Sequence, residues 1–447
     1  MTELGKFAAV ETENAVVYHA SNLDVLPLMA DNSVDSIVCD PPYELGFMGK
    51  AWDSTGIAYS VELWQECLRV LKPGGHILAF GGSRTWHRVA VAIEDAGFEL
   101  RDSIAWLYGS GFPKSMDIAK AIDKQSGYEG QVIGTETVDV GMQGGSMHAG
   151  RETKLAEREI KQLSDEAKQW QGWGTALKPA FEPIVVGRKP LIGTVAANVL
   201  VWGVGGLNID ASRIGRREGD VSAAGNRTAT FGTQETESGG DGSGGWEQND
   251  GGRWPANIIL DDFTAGLLDE QSGQTKSGKP GVRTSDGFNA NSFGAGVGIK
   301  AGESNGEYGD SGGASRFFYV AKASKRDRNE GLEELPFIEG GSMTGKEYRE
   351  NKPTNQPMRQ NFHPTVKPTE LMRYLIKLVT PAGGVVLDPF TGSGSTGKAA
   401  LLDGYRFIGI EMTADYLPII EGRLLWAEAE AQRVAQAAAE EEEIRLF

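Results

Sequence analysis

Cysteine is nearly absent from this chain: 447 residues contain two, Cys39 and Cys67. Two thiols cannot build a zinc site, and both sit in apolar segments, so they read as buried, reduced thiols of a cytoplasmic protein. Histidine is scarce too, with five scattered residues, which speaks against a metal cluster. No apolar run is long enough to span a bilayer, and the N-terminus lacks a signal-peptide pattern. Positive charge is in deficit. The formal net charge of -17 argues against a simple phosphate-coating protein, which wants a basic surface. Much of the acid lies late, at Glu428, Glu430 and Glu440-Glu441-Glu442-Glu443, while cations gather at Arg213, Arg216 and Arg217 and again at Lys322, Lys325, Arg326 and Arg328. Such runs are either solvated faces or phosphate contacts.

What is present begins with the run Ser36-Ile37-Val38-Cys39, which stops at Asp40-Pro41-Pro42-Tyr43. The run reads as a buried strand, so the tetrapeptide stands at its carboxyl end, where open α/β sheets bind ligands. The prolines fix φ and lack N–H groups, which leaves local carbonyls to face a ligand. A ring, two acceptors and no nearby base suit the holding of a planar heterocycle by its exocyclic amine. A Pro-rich turn without such a role is the plainer alternative.

A second strand ends in an acid far down the chain. Val385-Val386-Leu387 reaches Asp388, then Pro389-Phe390-Thr391-Gly392-Ser393-Gly394-Ser395-Thr396-Gly397, and a helix is expected from Lys398. Glycines let a ligand approach the backbone, and a helix N-terminus offers free N–H groups. The next strand, Arg406 to Ile410, ends in Glu411, an acid placed to receive ribose hydroxyls. This half therefore looks built for a nucleoside-containing cofactor. Gly392 through Lys398 also fits the start of a phosphate loop, but Ala399 stands where Ser or Thr would hold Mg²⁺. Gly392, Gly394 and Gly397 match the dinucleotide spacing. However, Asp-Pro-Phe-Thr separates strand from first glycine, which makes NAD the weaker reading.

Between these motifs the pattern predicts strands at Val16–Tyr18, Val34–Cys39, His76–Phe80 and Leu100–Trp106. It predicts helices at Glu62–Leu71, stopped by Lys72-Pro73-Gly74-Gly75, and at Val89–Ala96. Strands alternating with helices imply a mostly parallel sheet. From about 109 to 315 the chain turns rich in Gly, Ser and Asn, nearly low in complexity at Gly239–Gly252 and Gly281–Gly313. Those two stretches read as linkers or as loops that order on a partner. Firmer pieces are Glu182–Lys189, which looks like a strand returning to the sheet, and Ala256–Leu260. The α/β pattern resumes after Phe317, with a helix at Glu370–Leu378 and a last one from about Ala414 into a solvated Ala/Glu tail. No internal repeat is visible.

Taken together, the chain resembles the amino-methylating DNA methyltransferases, which modify adenine N6 or cytosine N4. Asp40 to Tyr43 looks like their catalytic motif and Asp388 to Gly394 like their S-adenosylmethionine loop. Asn361-Phe362-His363-Pro364-Thr365-Val366-Lys367-Pro368 looks like the segment before the cofactor strand. Catalytic motif first and cofactor motif last is similar to the permuted β class. The resemblance covers about residues 14–108 and 316–425. Gly111–Ser115, Gly174–Pro179, Arg253–Asn257 and Arg316–Tyr319 look like stretches of phage and prophage members.

The resemblance implies an α/β fold: a Rossmann-like, circularly permuted S-adenosylmethionine-dependent methyltransferase sheet with a large inserted target-recognition region. Residues 1–108 would form the catalytic half, 109–315 the target-recognition region, 316–425 the cofactor half and 426–447 an acidic helical tail. The Asp40 carboxylate and the Pro41 carbonyl would accept the hydrogens of a flipped base's amine, with Pro42 shaping the turn and Tyr43 stacking. Asp388 would accept from the cofactor's ammonium, and Pro389, Phe390, Thr391, Gly392, Ser393 and Gly394 would shape its methionine side. Glu411 would hold the ribose, and Thr365 and Lys367 would lie near the cofactor carboxylate. The family's usual acid before the first helix is replaced by Ala20-Ser21-Asn22-Leu23-Asp24, a departure in which Asn22 or Asp24 would stand in for that contact.

Double-stranded DNA is the implied partner, with Lys322, Lys325, Arg326, Arg328, Arg213, Arg216 and Arg217 as candidate contacts. A homodimer fits related enzymes of this order; a metal and a membrane are not expected. An initial Asp favours adenine N6. Cytosine N4 is the alternative, and a catalytically silent DNA-binding protein of the same fold is a third reading. No nuclease motif is visible, which suggests a stand-alone enzyme from a phage or prophage.

Overall fold

Val34–Cys39 is buried at every position, as a strand inside a parallel sheet must be when both its faces are covered. It lies near the middle of the main sheet. The computed structural model describes residues 3–46, 51–109, 111, 115–139, 155–215, 252–276, 311–321, 326–336, 338–339 and 358–445. Lys322, Lys325, Arg216 and Arg217 lie outside the described residues, as do most of the two Gly-rich stretches.

In chain order the strands are β1 (Ala8–Glu11), β2 (Ala15–His19), β3 (Val34–Cys39), β4 (Leu71–Phe80), β5 (Glu99–Leu107), β6 (Val132–Asp139), β7 (Leu155–Lys161), β8 (Phe181–Arg188) and β9 (Ile258–Asp261). They continue with β10 (Thr275–Lys276), β11 (Ser311–Gly312), β12 (Tyr319–Ala321), β13 (Ile338–Glu339), β14 (Met358–Arg359), β15 (Val385–Asp388) and β16 (Arg406–Glu411). The helices are α1 (Asn22–Val25), α2 (Val61–Val70), α3 (Trp86–Asp95), α4 (Ile118–Ser126), α5 (Asp165–Lys168), α6 (Val195–Trp202), α7 (Asp262–Ser272), α8 (Thr369–Val379), α9 (Ser395–Leu402) and α10 (Leu417–Arg445). None of the described helices is long and apolar enough to cross a membrane.

The chain divides into two compact units. The larger is Met1–Leu207, Asn257–Thr264 and Ala321–Phe447; the smaller is Asn208–Ala256 with Ala265–Val320. The larger unit carries the sheet in the order β1-β2-β16-β15-β3-β4-β8-β5-β9. Strands β2, β16, β15, β3 and β4 pair in parallel. β8 runs antiparallel to both its neighbours, β4 and β5, and β9 is again parallel to β5. The expected boundary at 109 is thus not where the compact units part. Residues 109–207 stay in the larger one because β8 fills a place inside its sheet.

Packing follows the sequence periodicity. Helix α8 buries Leu371, Met372, Leu375, Ile376, Leu378 and Val379, each worth about 1.5–3 kcal/mol when fully removed from water. Helix α2 buries Leu63, Trp64, Cys67 and Val70, and both cysteines are free and buried.

The Lys-Pro-Gly-Gly stop after α2 is a strand instead, since β4 starts directly at Leu71. Its backbone is already spoken for: the Gly74 N–H donates to the Lys189 carbonyl at 3.1 Å, and the Asn198 amide donates to the Pro73 carbonyl at 2.9 Å. A Cβ on Gly74 would lie 2.4 Å from Asn198 Nδ2, so this close approach admits only glycine. Likewise α9 begins at Ser395 rather than Lys398, capped by Gly394 at φ +75°.

Candidate active site

The two acids found in the sequence end neighbouring strands. β3 delivers Asp40 and β15 delivers Asp388, and these strands pair in parallel through Val386–Ser36 and Leu387–Ile37. From β3 the chain continues outward to β4; from β15 it continues the opposite way to β16. The crevice above β3 and β15 is therefore a topological switch point, the place where open α/β sheets bind ligands. A cavity of about 1240 Å³ opens there, lined by Asp40–Tyr43, Asn22, Thr365, Lys367, Asp388–Ser393 and Glu411 among others, all from the larger unit. Both expected motifs and the segment before the cofactor strand meet in one space.

On the cofactor side the carboxylates hold neutral donors. Asp388 is buried and accepts from the Phe390 N–H at 2.9 Å and the Thr396 hydroxyl at 2.5 Å. Burial pushes its pKa up to about 7, the two hydrogen bonds oppose this, and the charges of Asp40 and Glu411 add to it. Glu411 accepts from the N–H groups of Gly392 and Thr413, both at 2.7 Å, and burial raises its pKa as well. Gly392 sits at φ +55°, and a Cβ there would lie 3.1 Å from His363 Nε2. The turn thus needs glycine both for its φ and for space. Asn22 donates to the Pro389 carbonyl at 3.4 Å, which ties the first helix to the loop. Arg423, fully buried, holds the same loop from below through the Ser393 carbonyl at 2.8 Å and the Ser395 hydroxyl at 3.0 Å. These two buried acids, which form no ion pair among the described residues, stand beside a turn that admits a close ligand and fit a cationic, nucleoside-containing cofactor.

On the catalytic side the arrangement differs from expectation. Lys367, expected near the cofactor carboxylate, is engaged by two carboxylates of the protein. Its ammonium lies 2.6 Å from Asp40 Oδ2 and 3.2 Å from Glu182 Oε2, so a cation stands beside the tetrapeptide where none was expected. Burial alone would pull the Lys367 pKa down; the Asp40 and Glu182 carboxylates reverse this and hold it above the usual lysine range. Asp40 Oδ1, by contrast, is buried without a hydrogen-bond partner. The Tyr43 hydroxyl donates to Glu182 at 2.9 Å, and the Tyr43 carbonyl accepts from Thr85 at 2.9 Å. Trp106 and Tyr108, with ring centroids 5.0 Å apart, line the same cavity. Thr365 lines the cavity, and its carbonyl is 2.6 Å from His363 Nδ1. Burial lowers the His363 pKa to about 4, so this ring is neutral at physiological pH.

The cations proposed for phosphate contact fare unevenly. Arg328 lines the cavity, but its guanidinium is turned to the carbonyls of Asn361 at 3.2 Å and His363 at 2.5 Å. It brackets the segment before Lys367, a structural use that a charge run cannot reveal. Arg213 is buried against Asp210 at 2.8 Å and stacks over Trp254. Arg326 is exposed and pairs with Glu330 at 3.2 Å. Glu182 and Arg423 are site residues outside the motifs, and His363 lies inside one of them but was given no role there. Glu182 was visible only as the first residue of an expected strand. Among the described residues no group of His, Cys, Asp and Glu could hold a metal ion.

A mostly parallel α/β sheet with two acid-tipped strands at its switch point defines the class: a cofactor-binding enzyme fold. More narrowly, residues 34–128 and 269–422, over half the chain, match the DNA methylase family N6_N4_Mtase, and the chain belongs to that family. Similar stretches occur in the type II methyltransferase M.ScaI of Streptomyces caespitosus, 47% identical over 75 residues, which are 17% of this chain and 24% of that protein. The DNA adenine methyltransferase YhdJ of Escherichia coli (strain K12) is 46% identical over 55 residues, 12% and 19% of the two chains. M.HindIII of Haemophilus influenzae is 28% identical over 152 residues, 33% and 38%. The matched stretches thus span well under half the length of these relatives. Among solved structures, the cytosine-N4-specific PvuII DNA methyltransferase aligns over 96% of this chain and 95% of its own at 14% identity and a TM-score of 0.42. The M1.HpyAVI–SAM complex aligns over 92% and 99%, at 14% identity and a TM-score of 0.34.

Proposed function

We propose that this chain is a site-specific DNA methyltransferase that moves the methyl group of S-adenosylmethionine to the N6 amine of an adenine flipped out of a duplex. The observation that carries the reading is the meeting of Asp40, with one unpartnered oxygen, and the Asp388–Gly394 loop in a single cavity. An exocyclic amine is a poor nucleophile because its lone pair is spread into the ring. Acceptors aimed at its hydrogens pull the nitrogen toward tetrahedral geometry, and Asp40 Oδ1 with the Pro41 carbonyl are suited to this. S-adenosylmethionine supplies an already activated methyl, so the protein's task is positioning more than acid–base work. The nitrogen bonds the methyl as the methyl–sulfur bond breaks, S-adenosylhomocysteine leaves as a neutral thioether, and the nitrogen's surplus proton passes to solvent. Asp388 receives the cofactor's ammonium and Glu411 its ribose hydroxyls, with Gly392 and Gly394 leaving room for the methionine part.

Flipping costs a few kcal/mol of unstacking. The ring of Tyr43, which lines the cavity together with Trp106 and Tyr108, offsets part of it, since base–aromatic stacking is worth about 1–3 kcal/mol. In this reading residues 109–315 carry the target-recognition role. The first acid of the tetrapeptide being Asp favours adenine over cytosine, and the adenine enzyme YhdJ is among the similar proteins.

The test is incubation with S-adenosylmethionine and unmethylated bacterial DNA, digestion to nucleosides and mass spectrometry. N6-methyladenine is the expected product. N4-methylcytosine would keep the chemistry and replace the base. Absence of any methylated nucleoside, with the cofactor still bound, would move the reading to a silent DNA-binding protein.

A further inference from the structure

Glu182 belongs to none of the motifs, yet it touches the catalytic tetrapeptide. It is the second residue of β8, the strand that runs against its neighbours, and pairs with Trp106 of β5. An antiparallel strand begins where parallel ones end, so β8 brings its first residues to the carboxyl edge of the sheet, beside Asp40. There Glu182 Oε2 accepts from the Tyr43 hydroxyl at 2.9 Å and lies 3.2 Å from Lys367 Nζ.

Lysine has three N–H donors. The Lys367 ammonium meets three acceptors: Asp40 Oδ2 at 2.6 Å, the Tyr43 hydroxyl at 3.2 Å and Glu182 Oε2 at 3.2 Å. It also sits over the rings of Tyr43 at 5.3 Å and Phe80 at 4.8 Å. No donor is left over for a bound base. Of the side-chain atoms in this cluster, Asp40 Oδ1 alone is buried without a partner.

Resting on the methyltransferase reading above, we propose that Glu182 is a positioning residue for methyl transfer: it shares Lys367 with Asp40 and so keeps Asp40 Oδ1 free for the target amine. Without the second carboxylate the ammonium turns wholly to Asp40. Both Asp40 oxygens then face a cation, and the acceptor that the amine needs is lost. Glu182 touches neither base nor cofactor in this scheme; it acts through Lys367 and Tyr43.

The test uses Glu182→Gln, which keeps size and an acceptor for Tyr43 but removes the charge, with Glu182→Asp as the charge-retaining control. Cofactor affinity, duplex affinity, melting temperature and the single-turnover methylation constant are measured for each. The expected result is a methylation constant lower by about 10- to 100-fold in Glu182→Gln, the scale of losing a hydrogen bond to a charged group. Both affinities stay within about twofold and Glu182→Asp recovers most of the rate, as for an interaction realised only in the transition state. A Glu182→Gln rate within twofold of wild type overturns the inference while leaving the methyltransferase reading intact. A parallel fall in rate, cofactor affinity and melting temperature in both variants also overturns it, since Glu182 would then be a prop of β8. A wild-type protein that methylates no base sinks both.

Discussion

Asp40 and Asp388 tip adjacent strands and look alike in sequence, each an acid after an apolar run, but their surroundings are opposite. Asp40 is paired with the buried Lys367 ammonium at 2.6 Å. Asp388 meets a backbone N–H and a hydroxyl, and its pKa is pushed up to about 7. One acid is held by a resident cation with a single oxygen left over. The other is held by dipoles and gains a cation only when a ligand brings one. The same local grammar thus makes a fixed acceptor in one half and a ligand-dependent charge in the other.

The sharpest way to break this contrast is Asp40→Asn. The amide keeps the shape but gives Lys367 no charge to pair with and presents a weaker acceptor to the amine. Methyl transfer should fall by about 10²–10³-fold or more, the scale of losing one preorganised charge-stabilising group, while cofactor affinity changes far less, since Asp40 reaches the cofactor side only through its charge on Asp388. Single-turnover assays with a parallel binding titration check this, and normal turnover in Asp40→Asn would sink the mechanism.

The two strands and the glycine turn were legible because each is a local pattern: Val34–Cys39 and Val385–Asp388 are short apolar runs, and Gly392 needs its φ of +55° whatever the rest of the chain does. Lys367 and Glu182 were not, because their places depend on long-range pairing. Lys367 is 327 residues from Asp40 in sequence, within what looked like the cofactor half, and Glu182 arrives through the reversed strand β8. The present partners of two arginines were hidden for a related reason. Arg328 and Arg213 belong to basic runs, but their guanidinium groups are used on carbonyls and on Asp210 inside their own units. A run of charge in sequence reports no partner.

A second buried lysine sharpens the contrast from the cofactor half. Lys398 is fully buried and pairs with Asp327 at 2.8 Å and Glu330 at 2.9 Å, away from the cavity. It is the lysine of the apparent phosphate loop, and its ammonium is engaged within the fold. Lys398→Met should leave two carboxylates without their cation and cost about 3–5 kcal/mol of stability, read by denaturant unfolding. A loss below about 1 kcal/mol would show that Arg423, 4.0 Å from Asp327, takes over the pairing.

Asp388 yields the next largest effect, and its sign follows from the raised pKa. Below about pH 7 the unliganded protein keeps a proton there, so the group's contribution to stability is full below about pH 4, the ordinary aspartate value, and is lost as pH rises through about 7. A cationic ligand favours the ionised form. S-adenosylmethionine affinity should therefore climb between pH 6 and pH 8, with proton release measurable by calorimetry in two buffers. Asp388→Asn should weaken binding about 10- to 100-fold, as for a lost charge-assisted hydrogen bond, and flatten the pH dependence. Equal affinity at both pH values in the wild type would remove Asp388 from the ammonium.

The smallest effect is expected where neither half reaches. Helix α10 buries Ile419, Ile420, Arg423, Leu424 and Ala427, but residues 432–442 are all exposed. An Ala/Glu segment of this kind is a strong helix former that gains nothing from packing. Deleting residues 434–447 should change unfolding free energy by no more than about 0.5 kcal/mol and leave methylation unchanged. Extending the deletion back through Glu428 is different in kind. That carboxylate accepts from the Thr12 hydroxyl and the Asn14 N–H, both at 2.7 Å, and so fastens the helix to the start of β2 at the sheet's far side. Its loss should cost about 1–3 kcal/mol, the value of hydrogen bonds to a charged group. If the short deletion proved as damaging as the long one, the tail would be part of the packed fold, and the solvated reading of its acidic run would fall.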